Sequence, residues 1–336
     1  MQRIFLSALT ALAACYGQAR PDLSGTYDIA TLTPLTRPAK FGERLALTAE
    51  EARAIERQEA AIVAATNQKS DPNRSAPPAG GDGSQGPAGN VGGYNSFWVD
   101  RGTGAFQIDG KFRTSIITSP ANGQLPAMTP EAIKKARERA KYNRPNDGVA
   151  FWIKEGLKPG PYDDPELRPL AERCLLAFGT SSGPPMLPVM YNNLKRIVQT
   201  NDTVMILNEM VHDARIIRIN GKHEPPEIRR WMGDSIGRWE GATLVVDTTN
   251  FNDTPALFSA TRDLHVVERF SRIDAKTLRY QFTVEDPNVW TKPWSGEILF
   301  PATDQRVFEY ACHEGNYSFE GILKGARILE KEVEKK

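Results

Sequence analysis

The chain has 336 residues, with 42 Lys and Arg against 41 Asp and Glu, four His and three Cys. That length holds two average domains or one large all-β unit, and 40% apolar content is enough for a sizeable core. A net charge of +1 argues against a general nucleic-acid binder, which needs a clustered basic surface. Three cysteines exclude a disulfide-knotted scaffold and a zinc ribbon held by four thiolates. A mean hydropathy of −0.45 excludes a multi-span helical membrane protein.

Residues 1–19 read as an export signal. Arg3 supplies a short positive start, and Ile4 to Ala14 an apolar stretch too short for a transmembrane helix. Two processing sites compete. Gly17-Gln18-Ala19 fits a signal peptidase that releases a soluble chain from Arg20. Leu12-Ala13-Ala14-Cys15 fits a bacterial lipobox, which would place lipid on Cys15 and tether the protein to the envelope. The expected location is periplasmic or secreted in one case and lipid-anchored in the other. Either route leaves Cys174 and Cys312 in the body, and an oxidising compartment favours a bridge between them over two buried thiols.

Residues 20–65 hold a first strand near Leu23 to Ile29, then a helix opened by the capping box Thr48-Ala49-Glu50-Glu51. Residues 66–93 form a flexible Pro/Gly-rich loop. Its stretch from Asp71 to Gly93 has four Pro and seven Gly, too little apolar surface to offset the entropy of ordering. Residues 94–190 form a mixed insertion region. It contains strands at Phe106 to Ile108 and Arg113 to Thr118 around an Asp109-Gly110 turn. A helix follows from Thr129-Pro130, and a shorter one from Asp164-Pro165 that contains Cys174.

Residues 191–320 change to short strands at close spacing. The pattern predicts Leu194 to Thr200, a strand from Thr203 continuing to Ile219, Thr243 to Thr249 and Leu264 to Ile273. Leu278 to Glu285, Trp294 to Phe300 and Arg306 to Cys312 complete it. Strict alternation over Leu278, Tyr280, Phe282 and Val284 marks a half-buried strand. The expected fold is mainly β, a lipocalin-like antiparallel barrel or meander with helical insertions. Residues 321–336 read as a charged, solvated helix.

The run from Arg230 to Gly241, RWMGDSIGRWEG, followed by TLVVDTTNF at Thr243 to Phe251, resembles a family of exported bacterial proteins known mainly as uncharacterised sequences. Matching blocks lie at Tyr94 to Gly102, Arg113 to Gly123, Glu209 to Ile217, Leu264 to Phe270 and Glu309 to Tyr317. Ala242 departs from the pattern, which has an acidic residue there. The resemblance implies export and a shared fold; no activity comes with it.

His212 falls on the predicted strand in line with Met210, Ala214 and Ile216, where a perturbed imidazole suits a general base. Asp213, with Glu209 and Arg215, falls on the other face. Glu268 shares a face with Leu264, Val266 and Phe270, so it is either a paired carboxylate or an acid of raised pKa. His265 lies on the opposite face of that strand. Tyr94, Trp98 and Trp231, with other aromatics at strand starts and in loops, are candidates to line a ligand pocket together with His265. Asp234 and both Gly-x-Ser-x-Gly matches, at Gly179 and Gly233, read as turns because neither has the strand–turn–helix setting of a nucleophile elbow. His223 reads as an exposed loop residue. No metal-ligand spacing and no cofactor fingerprint is present, and no protein partner is inferable. The expected function is the binding of a small, largely apolar molecule in the barrel. The alternative is an isomerase, hydratase or lyase using His212 as base and Glu268 or Asp213 as acid.

Overall fold

The computed structural model describes residues 20–67, 73, 99–142, 144 and 148–335. Residues 1–19, read as an export signal and including Cys15, nearly all of the Pro/Gly-rich stretch, and Tyr94 and Trp98 lie outside the described residues. Strand β1 (Gly25–Asp28) opens the fold. Helix α1 (Ala49–Thr66) starts where predicted: Thr48 accepts from the Glu51 N–H, and the Glu51 carboxylate accepts from the Thr48 N–H. Strands β2 (Gln107–Ile108) and β3 (Lys111–Phe112) form a tiny hairpin, followed by β4 (Ile117–Ser119). Helices α2 (Pro130–Tyr142) and α3 (Phe151–Lys154) come next. Eight strands then run in succession: β5 (Leu194–Gln199), β6 (Thr203–Asn208), β7 (Ala214–Ile219), β8 (Asp234–Glu240), β9 (Thr243–Thr249), β10 (His265–Asp274), β11 (Thr277–Glu285) and β12 (Trp294–Pro301). Helix α4 (Tyr317–Glu334) ends the chain.

The fold is mainly β. Ten strands make one curled half-barrel in the order β1-β5-β6-β7-β8-β9-β10-β11-β12-β4. Every neighbouring pair is antiparallel except β7–β8, which is parallel. The sheet curls far enough that Ala302, just past β12, bridges back to Tyr27 of β1.

Alternation puts Ile197, Ile206, Val246, Val266, Phe282 and Ile298 on the inner face, all essentially shut from solvent. Rings of Phe270, Tyr280 and Phe300 meet with centroids 5.0 to 6.2 Å apart. Such pairs add about 0.5–1.5 kcal/mol each beyond their buried area. The hollow of the curl is filled from within the chain. Segment 180–187 is buried throughout. The Met186 N–H donates to the Tyr280 hydroxyl at 3.0 Å, and the Lys195 ammonium donates to the Ser181 carbonyl at 2.7 Å.

Five expectations are corrected. The strand from Thr203 does not run through to Ile219. It breaks at Met210–His212, where Val211 and His212 take φ of 58° and 46°, and Met210 and Val211 bury in a small cluster with Ala177. The break resets the alternation, so Arg215 and Ile217 point inward and Ala214 and Ile216 are exposed. Residues Asp234–Glu240 form a strand rather than a turn. Gly237 is needed there, because a Cβ would lie 2.9 Å from Ile217 and from Ile219. Residues 306–312 are not a strand; they leave the sheet to reach Cys174. Cys174 sits in a turn beyond the single helical turn Pro165–Leu167. Finally, α4 begins at Tyr317 and is docked as well as solvated: Ala326 buries against Phe151, Trp152 and Tyr162.

Candidate functional site

The segment that follows β12 is held off the sheet at three points. Phe308 donates its N–H to the Glu209 carboxylate at 3.1 Å, and the Tyr310 carbonyl lies 3.0 Å from Nδ1 of His212. Cys312 is joined to Cys174, with Cα atoms 5.7 Å apart. These anchors make a rim. A groove of about 790 Å³ opens between it, the 171–178 turn and the residues leading into β5. Phe178, Tyr191, Leu194, Phe308, Tyr310 and Ile322 supply its apolar wall beside the disulfide. Phe308 is 70% exposed and Phe178 43%, unusual for large apolar side chains that share one concavity. Burial of such surface contributes about 25 cal/mol per Å² when a ligand covers it.

Polar residues line the rest of the groove, among them Asp100, Glu172, Asn193, Glu209, Arg306 and Glu309. Asn193 is fully committed, donating to the Asp100 and Val189 carbonyls and accepting from the Val189 N–H. Glu209 is buried at the inner end. Behind it, burial pulls the Lys195 ammonium down to about 7, against the opposing pull of Glu209, Asp213 and Asp28. Burial likewise pushes the Asp28 carboxyl up, and Asp100 and Glu209 add to that push. Ser181, in the first Gly-x-Ser-x-Gly match, places its hydroxyl 3.2 Å from this ammonium inside the closed core.

The candidate acid–base residues do not meet at one cavity. His212 is exposed in its turn and steadies the groove rim through Tyr310. Glu268 is buried on β10, bound by Arg215 at 2.6 and 2.9 Å and by the Tyr280 hydroxyl at 2.7 Å. Burial drives the Tyr280 hydroxyl well above its ordinary pKa, and the Glu268 charge adds to this. Asp213 accepts from the Ser182 hydroxyl at 2.6 Å, and burial raises its carboxyl. Trp231, half-buried, lines a separate cleft.

His265 belongs to a relay on the outer face that sequence reasoning missed. Its Nε2 is 3.0 Å from Asp247, whose other oxygen is 3.0 Å from Nε2 of His223. Nδ1 of His223 is 2.9 Å from Asp234, which Arg218 clasps at 2.8 and 3.1 Å. The Asp247 hydrogen bond raises the pKa of His265, and the same bond lowers that of Asp247. Burial opposes ionisation of Asp234, yet bonds from Arg218, the Glu224 N–H and His223 hold it at about 2. Alternation alone places Asp247 and His265 on one face of neighbouring strands; that was the available signal. Asp234 is a buried strand residue and His223 a half-buried partner, not the turn and loop residues expected.

Comparison with family models, with curated proteins and with solved structures gave no match.

Proposed function

We propose that the protein is an exported carrier that binds a small, largely apolar molecule in the groove beside the Cys174–Cys312 bridge. The observation that carries this reading is the pair of exposed aromatics, Phe178 and Phe308, on the walls of a groove of ligand size. The inside of the curled sheet, where such a ligand was expected, is occupied by segment 180–187. The disulfide supports export to an oxidising compartment. An acid–base enzyme has less support, since Glu268 is engaged by Arg215 and Tyr280 while His212 faces a backbone carbonyl.

The test is a fluorescence titration with the neutral apolar probe N-phenyl-1-naphthylamine. The full-length protein should bind it, and F178A/F308A should weaken binding by about tenfold or more. Equal binding by the two proteins, or none by either, overturns the groove as the site. Fractionation of the native cell should place the protein in the periplasm, the medium or, if Cys15 carries lipid, the membranes. Recovery in the cytoplasm overturns export.

A further inference from the structure

The junction of β7 and β8 leaves a gap in the sheet. Their parallel pairing covers only Ile217–Ile219 against Ser235–Gly237. Before that, the incoming chain pairs away from β7: Arg230 donates its N–H to the Asn250 carbonyl, and its own carbonyl accepts from the Asn252 N–H. The start of β7 and residues 229–233 therefore flank an open cleft of about 580 Å³.

Four arginines line this cleft. Arg215 spends both Nη groups on Glu268, but its buried Nε–H has no partner. Arg218 is paired with Asp234 at 2.8 Å and with Glu224 at 3.9 Å. Arg229 donates to the carbonyls of Phe251 and Arg262, and no carboxylate among the described residues forms an ion pair with it. Arg230 is exposed and has no ion-pair partner among the described residues. Against Arg229 and Arg230 stands one further lining carboxyl, Asp213. Among the lining residues four arginines stand against two carboxyls, Asp213 and Asp234; Glu268 and Glu224 pair with Arg215 and Arg218 from outside the lining, so the positive charge left over is local to Arg229 and Arg230. The rest of the cleft wall has Trp231, Met232, Leu175 and the half-exposed Ile216 as apolar surface, with Ser235 and Asn252 as neutral polar groups.

We propose that this cleft is a second binding site, separate from the groove, for an organic monoanion with a small apolar body. Arg229 and Arg230 hold the anionic group, and Trp231 with Ile216 covers the apolar part. Guanidinium groups suit carboxylates in this role because their donors are fixed in a plane.

The experiment is a calorimetric titration of the full chain with benzoate, benzyl alcohol serving as the uncharged probe of similar body. Benzoate should bind at least about tenfold more tightly than benzyl alcohol. Its affinity should fall as salt rises from about 50 to about 300 mM, as expected of exposed charges. R230Q, at an exposed position, should keep the melting temperature and weaken benzoate about tenfold, and R229Q/R230Q should weaken it further. F178A/F308A should leave benzoate binding unchanged. Equal binding of the two probes, unchanged affinity in R229Q/R230Q, or loss of benzoate in F178A/F308A alone each overturns the proposal.

Discussion

Arg215 of β7 and Glu268 of β10 share two hydrogen bonds, of 2.6 and 2.9 Å, on the inner face of the sheet, and both side chains are closed to solvent. The two strands are not neighbours; β8 and β9 lie between them. The pair therefore ties across the curl. Removing one partner leaves a buried, uncompensated charge, so Glu268→Leu should cost about 3–5 kcal/mol by urea denaturation. The double variant Arg215→Met/Glu268→Leu should recover much of that loss. A double variant less stable than either single one would show that the ion pair itself is strongly stabilising.

The disulfide spans a sequence separation of 138 residues. Chain-entropy arithmetic gives about 5 kcal/mol for a loop of that length. Cys174→Ser/Cys312→Ser should unfold at markedly lower denaturant. It should also lose probe binding in the groove before it unfolds, because the rim loses its covalent anchor. A urea titration of unfolding checks the first part, and a probe titration at urea concentrations below the transition checks the second.

Lys195 predicts a pH dependence. Folded, it gives up its proton at about 7, whereas an unperturbed lysine holds it to 10.5. Between those values the unfolded chain binds more protons, so this residue makes stability rise with pH. Below about 7 both states are charged and the whole cost of the buried ammonium is present. Lys195→Met should flatten the slope between about pH 7 and about pH 10, read from urea midpoints.

His265 acts in the opposite sense. Its pKa is raised above 6.5 by Asp247, so its stabilising effect is complete below 6.5 and fades as pH rises through the folded value. Asp247, whose pKa is lowered from 3.8, stabilises above 3.8 and loses that effect as pH falls. The bond between them is thus strongest in mildly acidic solution. His265→Gln should remove the alkaline fade, seen as melting temperatures that converge with those of the native protein as pH rises.

Two strands were legible almost to the residue: β9, rich in Thr and Val, is predicted at both ends, and β11, with its strict alternation, starts one residue earlier than expected. In β11 the buried side chains keep to one face, the period of two that a sequence displays best, whereas β9 buries Leu244, Val245 and Val246 on both faces. The bridge was legible from the cysteine count and the expectation of export alone. The turn at Met210–His212 was not, because its residues are apolar enough to pass for a strand, and missing it inverted every face assignment in β7. Strand β8 hid behind two glycines; Gly237 is there for close packing rather than for a turn. The groove is made of irregular segments brought together by a disulfide and by hydrogen bonds to backbone groups, so no periodicity announces it.

The single parallel pair divides the sheet into two antiparallel blocks, β1-β5-β6-β7 and β8 to β12 with β4. Only three residue pairs cross the division, and parallel pairing is slightly weaker per residue than antiparallel. The blocks meet again at the Tyr27–Ala302 bridge. Such a seam is where partial opening starts: amides of Ser235 to Gly237 should exchange with solvent before those in the middle of β9 and β10. The arginine-lined cleft lies along the same seam, with Ile216 on one block and Ser235 on the other. A molecule lodged there touches both halves, so it would slow their separation and show itself as protection of amides it never contacts.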